Sequence, residues 1–159
     1  MIPSSANAPG TRISLGLVAG ALSVLLCHQT TYQIAYWLGV ATHPAFRMAV
    51  VPPFNVPVVV SLTFWGAMFG VIVGLTPRLP GGLLLRGLLA GVLSLLMAWF
   101  VVRPMAGHAV AFGWKTHMMI PSALANLAWG YGVVLLQRLL SPRCLLQRSR
   151  AWAQHNLAT

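Results

Sequence analysis

Four predominantly apolar stretches of this chain are long enough to span a bilayer: 13–38, 57–75, 83–102 and 118–140. Each is close to the roughly 20 helical residues needed to cross a hydrocarbon core of about 30 Å. A membrane β-barrel would need apolar and polar residues in alternation. Runs such as Val71 to Leu75 or Leu83 to Leu85 are apolar at every position instead, so helices are predicted. The connections leave no room for a separate soluble domain. The pattern predicts an all-α integral membrane four-helix bundle, a single domain over residues 1–140, followed by a basic tail at 141–159.

The pattern also repeats. A shift of 71 residues lays Leu17 to Leu26 over Leu88 to Met97, with Leu, Ala-Gly and Leu-Ser shared in register. A shift of 64 lays Pro57 over Pro121 and Trp65-Gly66 over Trp129-Gly130. Two anchors in the same order suggest two tandem transmembrane hairpins in parallel repeat, with the difference in shift absorbed by the outer connection. Within the spans, Gly16 and Gly20, then Gly66, Gly70 and Gly74, then Gly87 and Gly91 recur every four residues. That spacing puts each set on one face, where helices lacking side chains can approach closely and gain dispersion contacts that lipid does not oppose. Such faces serve packing within one chain or within a homo-oligomer.

The segments Arg86 to Gly91, Val102-Arg103-Pro104-Met105-Ala106-Gly107 and Leu124 to Gly132 resemble small, duplicated four-helix bacterial inner-membrane proteins of unknown function. In that family a His often stands where this chain has Asn126. The resemblance implies the architecture and an inner-membrane location. It implies no activity.

Charge orients the bundle and narrows the chemistry. Of ten Lys and Arg, seven (Arg12, Arg78, Arg86, Arg138, Arg143, Arg148 and Arg150) fall on the side of the termini, and Arg47, Arg103 and Lys115 on the other. By the positive-inside rule both termini are cytoplasmic. Arg12 and the apolar run after it resemble a secretory signal, but Leu26 stands where a signal peptidase needs a small residue, so the first span is read as retained. The chain has no Asp or Glu. Carboxylate-held Mg²⁺ or Ca²⁺, an acid nucleophile, paired-acid hydrolysis and a triad acid are therefore not available. A non-enzymatic protein without cofactor is expected. Cys27 lies in the first span and Cys144 in the tail, too far apart for a disulfide.

One polar band interrupts the first span: His28, Gln29, Thr31 and Gln33, with Asn126 at a similar height in the fourth. His28 is about 24 Å along the helix from Arg12, which puts it in the outer half. Polar groups at that depth face the bundle interior, either as hydrogen-bond glue or as the lining of a pocket or path. A second cluster holds His43, Met105, His108, His117 and Met118, with Met48 and Met119 beside them. These are soft ligands of the kind copper(I) takes, although Met is also ordinary packing material. His28 and His117 would be the haem pair, but their heights differ by roughly 7 Å.

Trp37, Trp99 and Trp114 fall where interfacial anchors belong. Arg143, Arg148 and Arg150, beside Leu145, Leu146 and Trp152, suit anionic lipid at the cytoplasmic face. Positive charge split between two membrane faces argues against nucleic acid. Three functions follow in order: a structural, accessory or stress-related membrane protein, alone or in a larger complex; a small oligomeric transporter or channel with its path near His28; and a haem, copper or quinone-binding subunit.

Overall fold

A computed structural model describes residues 9–52, 55–76 and 82–141. Among them four helices are long and apolar enough to cross a membrane: α1 (Pro9–Trp37), α2 (Val58–Leu75), α3 (Gly82–Met105) and α4 (Thr116–Leu139). A two-stranded hairpin, β1 (Val50–Val51) and β2 (Val56–Pro57), lies between α1 and α2, with Val50 opposite Pro57 and Val51 opposite Val56. Arg78, Pro53 and the tail from 142 onward lie outside the described residues.

Two of the helices end where backbone chemistry stops them. Helix α1 is described from Pro9. It ends where Gly39 turns left-handed at φ 73°, with Val40 N–H donating to Ala35 O and Gly39 N–H to Tyr36 O. Helix α3 runs through Pro104 and ends in the same way at Gly107, with His108 N–H donating to Arg103 O and Gly107 N–H to Pro104 O. Both pairs form the Schellman motif, which occupies the orphan carbonyls of a last helical turn. Each of these two helices also contains one widened, i to i+5 bonded segment, at Val24–His28 and Ala98–Val102. There Gln29 N–H reaches Val24 O, and Arg103 N–H reaches Ala98 O.

Glycine sets the packing. A β-carbon on Gly16 would come to 2.6 Å from Gly70 O, and one on Gly74 to 2.7 Å from Arg12 O, so α1 and α2 touch backbone to backbone. Gly20 meets Gly66 and Gly70 in the same way. On the other side Gly130 of α4 lies against the backbone of Gly87 and Gly91 in α3. Helices α1 and α4 join the two pairs: Ser23 Oγ donates to Trp129 O at 2.8 Å and Trp129 Nε1 to Gly20 O at 3.0 Å. Gln137 Nε2 adds a bond to Gly70 O at 3.1 Å. Helices α2 and α3 barely meet, so the order across the bundle is α2, α1, α4, α3, with one side left open.

The interior holds small and polar groups as well as apolar ones. Ala19, Val24, Trp129, Val133 and Val134 are buried, and so are Ser23, Ser94, Ser122, Asn126 and Gln137. The exterior is apolar, with Leu84 at 72% and Leu26 at 58% exposure. This is the reverse of a water-soluble domain. With no acid in the chain, arginines turn to carbonyls. Arg12 Nε donates to Gly74 O at 2.9 Å and its Nη2 to Thr76 O at 3.0 Å, while Arg86 Nη2 reaches Val73 O at 3.3 Å. Three donors from two helices thereby meet the negative dipole end of α2.

Candidate functional site, a cavity under the first connection

The connection between α1 and α2 folds back over the bundle because two glutamines of α1 hold it there. Gln29 Oε1 accepts from Phe46 N–H at 2.7 Å, and Gln33 Oε1 from Ala45 N–H at 3.0 Å. Between them Tyr32 stacks on His43, with ring centres 5.1 Å apart and planes 22° from parallel. His43 Nδ1 lies 3.2 Å from Pro44 O, which accepts only, so the ring proton belongs on Nδ1. His43 Nε2 is then free to accept from the Tyr32 hydroxyl at 3.2 Å. Val58 N–H to Ala49 O and Val59 N–H to Arg47 O fix the far end of the connection.

Beneath this cover is a cavity of about 430 Å³, in the size range of a site for a small organic ligand. All four helices contribute to its wall: His28 from α1, Ser61 from α2, Trp99 and Arg103 from α3, Asn126 from α4, with Arg47 from the connection. Both widened helical segments border it, supplying His28 on one side and Ala98, Trp99 and Val102 on the other. Widened turns of this kind occur often at functional sites, because the extra residue re-aims the side chains that follow. The surface that the wall presents is chiefly apolar.

Asn126 is anchored, with Nδ2 donating to Ser122 O at 2.8 Å and Oδ1 accepting from Ser94 Oγ at 3.1 Å. Trp99 Nε1 donates to Ser122 Oγ at 3.1 Å. His28 differs: its Nδ1 is sealed from solvent and has no hydrogen-bond partner among the described residues. Arg103 places its guanidinium 3.5 Å from the centre of the Phe112 ring, and its Nε donates to Ala109 O at 3.3 Å. Phe112 is held there by a left-handed turn in which Ala111, Phe112, Gly113 and Trp114 have φ of 44°, 59°, 62° and 62°. Each non-glycine residue in that conformation costs roughly 1–2 kcal/mol, and such strain tends to persist at functional sites.

The structure thus divides the residues singled out by sequence. His28, Gln29 and Asn126 meet at the cavity, as does Ser61. Gln33 holds the cover without lining the cavity, and Thr31 is half-buried on α1 away from it. Of the soft ligands, His43 and His108 reach the wall, whereas Met105 is 51% exposed and His117 and Met118 lie elsewhere. Among the described residues no three His or Cys side chains converge to hold a metal ion. Trp99, expected as an interfacial anchor, is half-buried on the widened turn, with its indole N–H bonded to Ser122 within the bundle. Cys27 is free, half-buried beside Gly132 and outside the cavity wall.

Sequence reasoning missed Tyr32, Arg47, Arg103, Phe112 and Ser122 as members of the site. One signal was present: two of the three cations at this end flank the proline-rich connection and the Arg-Pro turn. The chain matches no known family model, no curated protein and no solved structure.

Proposed function

We propose that the chain is a multi-pass bacterial inner-membrane protein with both termini cytoplasmic, made of two tandem hairpins, and that its role is non-enzymatic. It holds a small amphipathic ligand in the outer cavity, as an accessory or stress-related membrane component would. The apolar exterior around a partly polar interior supports insertion, and the excess of arginines at one end supports the orientation. Matching glycine contacts in the two hairpins and matching Schellman ends of α1 and α3 support duplication.

The observation that carries the binding role is a cavity walled by all four helices, whose side chains Gln29, Asn126 and Trp99 are already hydrogen-bonded to the protein and so shape the wall. A concave, chiefly apolar wall with placed polar groups is what a small organic ligand requires. A binding role is favoured over a transport path because Trp129, Val133 and Val134 close the core and do not belong to the cavity wall.

The test is the mass of the protein released intact from its native membrane. One retained small molecule per chain is expected in the wild type and none in Ala98→Trp, which fills the cavity from α3. A bare chain in both, or the same adduct in both, would remove the binding role.

A further inference from the structure

We propose that the cavity takes one phosphate-headed anionic lipid, with the head between Arg47 and Arg103 and a chain leaving through the open side between α2 and α3. This inference rests on the binding role above and narrows it to a chemical class.

Charge is the first ground. The chain has no Asp or Glu, so a guanidinium in a largely apolar wall has no counter-charge within the protein. Elsewhere the deficit is met by backbone: Arg12 and Arg86 donate to the carbonyls that end α2. Arg103 has only Ala109 O and the face of Phe112, and its Nη groups make no hydrogen bond among the described residues. Arg47, exposed on the connection, borders the same cavity. Of the three cations at this end of the bundle, Arg47 and Arg103 line the cavity, and Lys115 does not.

Geometry is the second ground. A carboxylate presents two oxygens, which one arginine fork can satisfy; two forks suit the larger set of acceptor oxygens on a phosphate. A cavity of about 430 Å³ is far too large for that head alone, and its apolar majority would be left against water if nothing apolar entered. Helices α2 and α3 barely meet, and both line the cavity, through Ser61 and Leu62 on α2 and Ala98 and Val102 on α3. An acyl chain entering there from the bilayer would remain in apolar surroundings throughout.

The full chain is delipidated in detergent and titrated with short-chain phosphatidylglycerol, phosphatidylcholine and diacylglycerol of the same chain length, the matched fatty acid, and inorganic phosphate. Bound ligands are counted by native mass spectrometry. One phosphatidylglycerol per chain is expected to bind at least about tenfold more tightly than any other probe. Arg47→Gln and Arg103→Gln should each weaken it by about tenfold, with unchanged helix content, while Arg138→Gln at the opposite end leaves it alone. If either variant loses helix content, Arg103→Lys and Arg47→Lys replace them, and partial retention is expected.

Equal binding of phosphatidylglycerol and phosphatidylcholine, stronger binding of the fatty acid, or equal weakening by Arg138→Gln would overturn the inference. Saturable binding of phosphate alone would assign the site to the free anion and overturn the lipid. Diacylglycerol bound as well as phosphatidylglycerol, insensitive to both arginines, would overturn the anionic head and leave the binding role standing. No bound probe of any kind would overturn both.

Discussion

The indole N–H of Trp129 donates to the carbonyl oxygen of Gly20 at 3.0 Å across the contact between α1 and α4. Trp65, which aligns with Trp129 on a shift of 64 residues, has a buried Nε1 with no partner among the described residues. The two tryptophans therefore carry different loads. The contact of α1 with α4 is closed, while that of α3 with α2 is open.

Trp129→Phe should destabilise the folded chain by about 1 kcal/mol through the lost bond, and more if the smaller ring leaves a void. Trp65→Phe removes a donor that bonds nothing and should be neutral or slightly stabilising. Thermal unfolding of the two variants in one detergent checks this, and equal losses would contradict the assignment.

Gly130→Ala should be among the most disruptive small changes in the bundle. Its added carbon would meet backbone atoms of Gly87 and Gly91, which cannot swing aside as a side chain can. A loss of about 1–3 kcal/mol is expected from overpacking. Gly10→Ala, with nothing within 4 Å, should change stability little and serves as the control in the same unfolding series.

Gln29→Leu should release the cover without unfolding the helices. Phe46 N–H would lose its acceptor, at about 1–2 kcal/mol locally, and the connection would open before the bundle does. Hydrogen exchange at Ala45 and Phe46 should quicken by roughly tenfold while the centre of α4 keeps its protection. Quickening throughout α4 would mean that the glutamine holds the bundle together instead.

Orientation is checked in intact cells. With Cys27 and Cys144 replaced by Ser, His108→Cys should react with a membrane-impermeant thiol reagent added outside, and Arg138→Cys only after the membrane is opened. The opposite labelling would reverse the topology drawn from the arginines.

The sequence made the apolar spans legible, because hydrophobic length is a local property. It made the glycine faces legible as packing surfaces but left their partners open; backbone contact of Gly20 with Gly66 and of Gly91 with Gly130 is a long-range outcome. The end of the first span at 38 falls within a residue of the Schellman turn at Gly39, whereas the third, ended at 102, stops short of Met105 and the turn at Gly107. The polar band was visible, yet its members separated: Gln29 and Gln33 bind the connection, and His28 remains unpaired. Neither widened turn leaves a sequence signature, so the bond of Trp99 to Ser122 and the cavity beside it could not be read from the chain. Arg47 and Arg103 looked like exceptions to the charge asymmetry until the fold placed both on one wall.

The most direct measurement is an experimental map of the protein in lipid nanodiscs. Elongated non-protein density is expected in the cavity beside His28, Trp99 and Arg103, leading out between α2 and α3 and absent in Ala98→Trp. An empty cavity, or one closed by α2 packing against α3 as tightly as α1 packs against α4, would contradict a ligand-holding role.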